Sequence, residues 1–145
     1  MRIPVRVDYG LRALLILADR YGQGLTPSSE IAAQQDIPEP YLDQLLNTLQ
    51  KGGLVRSVRG PKGGHTLARE PEHITVAEAV AVLEGSASLV DCLDEEAACE
   101  RASVCALREV WQEVEAAVRR VLGNVTLAEL ARRQAAHEER EVYHI

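Results

Sequence analysis

Between residues 52 and 67 the chain runs Gly52-Gly53, then Leu54-Val55-Arg56-Ser57-Val58-Arg59, then Gly60-Pro61-Lys62-Gly63-Gly64, then His65-Thr66-Leu67. Two short strand-like runs flank a turn rich in glycine, the residue that accepts positive φ without steric cost, so the segment predicts a β-hairpin. A phosphate-binding loop is excluded. That chemistry needs Lys and a hydroxyl side chain opening a helix, whereas Lys62 precedes the Gly pair and a strand follows.

Helical periodicity leads into this hairpin. Leu11, Leu14, Leu15 and Ala18 recur at helical spacing from Tyr9 to Arg20, and Gly22 and Gly24 stop that helix. Thr26-Pro27 predicts an N-cap with Pro at the first helical position, opening a short helix through Ile31, Ala32 and Ala33. Asp36-Ile37-Pro38 breaks it. A third helix, Glu39 to Gln50, buries Tyr41, Leu42, Leu45, Leu46 and Leu49 and ends at Gly52-Gly53. Two short helices across a tight break, followed by a basic hairpin, have the layout of a winged helix-turn-helix domain.

The remainder is helical as well. Thr75-x-x-Glu78 is a capping box opening a helix with Val76, Ala79, Val80 and Leu83 inward and Gly85 at its end. Residues 86–105 lack sustained periodicity. Leu107, Val110, Trp111, Val114, Val118 and Val121 then repeat at three-four spacing for about four turns. Gly123-Asn124 ends that helix, and Thr126-x-x-Glu129 caps the next. Residues 137–145 read as a polar, frayed tail, with Val142, Tyr143 and Ile145 able to dock. Aromatics are 3% of 145 residues with no Phe, so a core of Leu, Val, Ile and Ala favours helices over a sandwich or barrel. The fold class expected is mainly α: a winged domain over 1–85, a cysteine-containing loop over 86–105, and a long dimerisation helix with a C-terminal helix and tail over 106–145.

A net charge of −6 argues against a nucleic-acid partner until its distribution is read. Residues 1–70 hold nine Lys and Arg against seven Asp and Glu, and residues 71–145 hold seven against fifteen. Residues 51–69 carry Lys51, Arg56, Arg59, Lys62 and Arg69 with no acid. That local excess is an electrostatic footprint for DNA, or else an ordinary solvated face. A further apolar stripe beyond a domain that already has its core predicts pairing with a second copy, two-fold pairing being the commonest assembly. No run approaches the length of a membrane span, no signal peptide is apparent, and three cysteines without export signals point to the cytoplasm.

The three cysteines follow Cys92-x6-Cys99-x5-Cys105, which is not the paired Cys-x2-Cys of a zinc ribbon. Three thiolates lacking one ligand fit an iron–sulfur cluster completed from elsewhere; free thiols, an oxidised pair and zinc remain open. Enzymatic chemistry is not indicated. His137-Glu138 is half of a His-Glu-x-x-His helix, but residue 141 is Glu, and no nucleophile-plus-base set is present.

From residue 1 to about 135 the chain resembles the Rrf2 family of bacterial winged-helix repressors. The resemblance is carried by Tyr9-Gly10-Leu11-Arg12-Ala13-Leu14, Ile37-Pro38-x-x-Tyr41-Leu42-x-Gln44-Leu45, Gly53-Leu54-Val55-x-Ser57-Val58-Arg59-Gly60-Pro61-x-Gly63-Gly64, the cysteine loop, Trp111 and Val125-Thr126-Leu127-x-x-Leu130. Members include regulators of iron–sulfur cluster biogenesis, nitric-oxide-sensing repressors and repressors of cysteine metabolism. The resemblance implies a homodimer on double-stranded DNA with dyad symmetry, held together by the long helix through Leu107, Val110, Trp111, Val114, Val118 and Val121.

Within that frame the third helix enters the major groove, offering Glu39, Tyr41, Asp43, Gln44 and Asn47. Amides suit adenine, and a carboxylate accepts from the cytosine amino group. In relatives an acidic residue at the place of Asp43 discriminates operator types. Arg59 at the hairpin tip suits a narrow minor groove and Lys62 a phosphate, with Ser28, Arg56 and His65 completing the expected interface. The cysteine loop lies where cluster-binding members carry theirs, which implies an iron–sulfur cluster, 4Fe–4S preferred over 2Fe–2S. The biogenesis regulator's His ligand is replaced here by Arg108. The nitric-oxide-sensing branch instead uses an acidic residue near the N-terminus of the partner protomer, and Asp8 stands at that place; the plain alternative is an ion pair of Asp8 with Arg12. A cluster-free repressor of sulfur metabolism, acting through thiols or a protein partner, is the competing expectation.

Overall fold

A computed structural model describes residues 2–85, 93 and 99–143. Helix α1 spans Val5–Asp19, a turn longer at its start than the apolar stripe alone predicts. Pro4 precedes its first residue, where a missing N–H costs nothing. Helix α2 is Ser28–Gln35 and α3 is Glu39–Lys51. Between them Asp36 adopts φ 52°, a left-handed turn that a short polar residue tolerates and that lets α3 leave at a new angle. Strands β1 (Val55–Val58) and β2 (Gly64–Leu67) pair antiparallel, Val55 opposite Leu67 and Ser57 opposite His65. A short 3-10 turn at Pro71–His73 leads into α4, Val76–Glu84. Another at Ala102–Val104 precedes α5, Ala106–Gly123, and α6 is Leu127–Tyr143. Among the described residues the architecture is mainly helical with one small antiparallel sheet, as the sequence predicts.

Two local expectations are corrected. Thr26 does not cap α2; Pro27 takes that position and no side-chain cap bond forms. Thr26 instead exchanges both backbone bonds with His65, at 2.9 and 2.8 Å, and is buried. Its extended backbone adds a third edge to the hairpin, ties the wing to the start of α2 and takes it out of capping geometry. Residues 137–143 are helical rather than a frayed tail. Helix α6 packs on α1, and the Gln134 amide donates to the Glu138 carboxylate at 3.1 Å. Val142 does not dock: it is 70% exposed.

The other two helix starts behave as predicted, with one difference. The Thr75 hydroxyl accepts from the Glu78 N–H and the Thr126 hydroxyl from the Glu129 N–H, both at 3.1 Å. The carboxylates do not reach back to complete the reciprocal box. Glu78 pairs with Arg69, and Glu129 with Arg132 and Arg133. Backbone bonds from Val76 to Val125 and from Leu127 to Ile74, each 2.9 Å, join the two starts.

The core lies where α1, α3 and α4 meet, around Leu14, Leu17, Leu42, Leu46 and Leu49, with Leu127 of α6 closing one side. Close approach of α1 to α4 depends on Gly10, where a Cβ would stand 2.5 Å from the Leu83 side chain. Helix α5 packs on α4, yet the residue it buries is Glu115, 8% exposed and paired with Arg119. Its apolar stripe faces elsewhere.

Candidate nucleic-acid interface

Helix α3 buries Leu42, Leu45, Leu46 and Leu49 and so turns Glu39, Asp43, Gln44 and Asn47 to solvent. Tyr41, expected both in the buried stripe and among the DNA contacts, is half-buried. Its ring meets Tyr9 edge-on at 6.0 Å, with the Arg12 guanidinium 5.7 Å from the Tyr9 ring centre. The first turn of α3 is thereby fastened to α1, and Tyr41 has less surface to offer a ligand than its sequence position implies.

The wing supplies the cations. Leu54, Val55 and Leu67 anchor it in the core, while Arg56, Arg59 and Lys62 are exposed and make no ion pair among the described residues. Arg69 differs. It is held by Glu78 at 2.5 Å and touches the His73 carbonyl at 3.4 Å, so it fastens the chain after the wing. The tight turn requires Gly63, where a Cβ would lie 2.0 Å from the Val58 carbonyl oxygen. Free guanidinium and ammonium groups on a rigid hairpin are what phosphate neutralisation needs.

Between α3, the start of α2 and the wing lies a cleft of about 590 Å³ lined in part by Ser28, Asp43, Asn47, Ser57, Arg59 and His65. The Ser28 hydroxyl donates to the Glu39 carboxylate at 3.4 Å. Ser57 was not among the residues expected from sequence, although counting back from the turn sets it opposite His65. Its Oγ lies 2.7 Å from His65 Nδ1. Burial pushes the His65 imidazole below its usual pKa, and the nearby Asp43 carboxylate opposes that shift.

The expected sensor residues are less assembled. Cys99 is an exposed free thiol, Cys105 a half-buried one at the N-cap of α5, and Cys92 lies outside the described residues. Asp8 pairs with Arg12 at 3.0 Å, both about half exposed. Soft thiols with one hard carboxylate are chemically a donor set for iron–sulfur ligation. Among the described residues no three such groups stand together.

On α5, Leu107 is 63% exposed, Val110 48%, Val118 43% and Val121 59%, with Trp111 and Val114 half-buried. A contiguous apolar stripe left in water by its own chain marks an interaction surface. No helix among the described residues is long and apolar enough to cross a membrane.

Residues 3–133 match the Rrf2 family, described as an iron-dependent transcriptional regulator. The chain is 37% identical over 145 residues to the transcriptional regulator CymR of Bacillus subtilis (strain 168), covering all of both proteins. It is 34% identical over 134 residues to the regulator IscR of Xenorhabdus nematophila, covering 92% of this chain and 81% of that one. Among solved structures it is similar to B. subtilis CymR, described as the global cysteine regulator, with TM-score 0.75 and 38% identity over 92% of this chain and 98% of the other. It is equally similar to T. potens IscR, with TM-score 0.76 and 34% identity over 92% and 88%. A winged helix with an unpaired basic hairpin, joined to sequence likeness over its whole length, makes this chain a member of the Rrf2 family of DNA-binding transcriptional regulators, which are not enzymes.

Proposed function

We propose that the chain acts in the cytoplasm as a homodimeric repressor whose grip on a dyad-symmetric operator is controlled by an iron–sulfur cluster. The observation that carries DNA recognition is the cleft between α3 and the wing, bordered by Asp43 and Asn47 on one side and by Arg59 on the other, with Arg56 and Lys62 exposed on the same hairpin. Asp43, Gln44 and Asn47 read base edges in the major groove, Glu39 and Tyr41 flank them, and Arg59 enters the minor groove. Ser28, Arg56, Lys62 and His65 hold the backbone, which fixes register without reading sequence. The exposed stripe of α5 pairs with its copy and sets the spacing of the two α3 helices.

For control, Cys92, Cys99 and Cys105 hold the cluster and Asp8 of the partner supplies the fourth ligand, 4Fe–4S being preferred to 2Fe–2S. When bound, the group supplies an iron site that nitric oxide, oxygen or iron shortage can alter. Cys105 caps α5, so its ligation fastens the loop to the dimerisation helix. Asp8 leaves Arg12 to ligate, at little cost because the pair is solvent-screened. A ligand held across protomers has different affinity for the two arrangements of the dimer, which is the requirement for switching it. The family's description as iron-dependent supports this reading.

The test is anaerobic purification of the wild type and Asp8→Ala, with iron and sulfide analysis, absorption and Mössbauer spectra, and operator affinity before and after cluster removal. Substoichiometric iron in Asp8→Ala and weakened operator binding on cluster loss are expected; iron-free wild type that represses fully refutes the control mechanism. The exposed free thiol of Cys99, with the full-length likeness to CymR, favours a second reading: a cluster-free repressor of sulfur metabolism responding through its thiols or a protein partner. Absence of stoichiometric iron and sulfide selects it.

A further inference from the structure

His65 stands at the junction of three elements. Its backbone bonds Thr26 ahead of α2, its strand partner is Ser57, and its ring borders the cleft facing α3. Ser57 engages Nδ1, leaving Nε2 without a hydrogen bond among the described residues. The Ser57 hydroxyl can donate to Nδ1 in the neutral ring and accept from Nδ1–H in the charged one, so the same bond places the imidazole in both states. The charged groups of the cleft are Asp43 on α3, which favours a cationic ring, and Arg59 at the hairpin tip, which disfavours it. Glu39 is occupied by Ser28.

We propose that His65 is a proton-linked DNA contact: operator binding takes up a proton at His65, so that the wing grips DNA more tightly as pH falls. The inference rests on the DNA-binding reading and adds a regulatory input independent of the cysteines. A neutral ring places only a weak donor in the cleft, whereas an imidazolium adds a cation facing the polyanion next to Arg59. The DNA-bound ring therefore holds its proton to higher pH than the free one. The sign follows. Well above the bound-state pKa the contribution is absent; it grows as pH falls through that value and saturates below the free-state pKa, which lies under the usual 6.5. At each half-site, every unit separating the two values tightens binding about tenfold.

The test uses the full-length chain in one defined iron state and a duplex of about 30 base pairs enriched from a random pool, long enough for two half-sites. Affinity is measured by fluorescence anisotropy between about pH 8 and pH 5.5, a span that brackets histidine titration, for wild type and His65→Gln. With one His65 at each of the two half-sites, wild-type binding tightens about tenfold to a hundredfold, and its salt slope steepens by about two. The variant, whatever its affinity at the alkaline end, gives a flat profile. Proton NMR of the His65 ring, with and without the duplex, reports a higher pKa in the complex without any substitution. A flat wild-type profile, a variant that keeps the slope, or equal free and bound pKa values would each overturn the inference. Failure of the wild type to bind any duplex at any pH would instead refute the DNA-binding reading.

Discussion

Leu107→Ala tests whether α5 is the dimer interface, and its magnitude can be worked from exposure. The side chain opens the α5 stripe and is 63% exposed in the protomer, so nearly two-thirds of its apolar surface awaits burial by a partner. Truncation to Ala removes three carbons, each worth about 0.8 kcal/mol when fully buried. Scaled by the exposed share, the loss is about 1.5 kcal/mol per protomer and about 3 kcal/mol per dimer. That is about a 150-fold increase in the dimer dissociation constant. Because the residue faces solvent in the isolated chain, the protomer itself should keep its helical content. Sedimentation velocity across a dilution series, with circular dichroism as the control for folding, reads both quantities. The dimer should dissociate at concentrations where wild type stays paired, and affinity for a two-half-site operator should fall with it. An unchanged dimer constant, or a wild type that is monomeric throughout, refutes the assignment of α5.

Three further substitutions separate DNA contact from scaffold. Arg59→Ala should weaken operator binding by about 1–3 kcal/mol if the guanidinium reaches a base edge or groove floor; an unchanged salt titration removes it from the interface. Gly63→Ala drives a Cβ to 2.0 Å from the Val58 carbonyl, so the turn must distort. A destabilisation of about 1–3 kcal/mol with loss of operator affinity is expected in denaturant and binding titrations, and full retention of both would show the turn to be pliable. Thr126→Ala removes the hydroxyl that accepts the Glu129 N–H. It should cost about 0.5–2 kcal/mol by denaturant titration while leaving duplex affinity at matched folded fraction unaltered.

Much of the site was readable residue by residue because its signals are short-range. Gly60 to Gly64 announce the wing turn, Thr75 and Thr126 announce their helices, and the spacing of Leu42, Leu45, Leu46 and Leu49 determines which side of α3 is wet. The basic content of 51–69 needs only counting. What counting misses is competition among partners: Arg69 contributes to the same charge excess as Arg59 but is bound by Glu78. Tyr41 was counted both in the apolar stripe and on the DNA-facing side, and only its contact with Tyr9 decides how much of it is left for a ligand.

The amino-acid order alone determined the element types, several of their ends and the apolar stripe of each helix, since capping, turn conformation and periodicity act within a few residues. Tertiary structure alone decided who meets whom. Thr26 was free to cap α2 until the hairpin offered it His65 as a backbone partner from across the chain. Residues 137–143 gain helical order as part of a helix that packs on α1. Nothing local in α5 says that Glu115 would turn inward while Leu107 and Val121 stay in water. Such outcomes depend on surfaces distant in sequence, where burial and hydrogen bonding compete for the same groups and the fold selects between them.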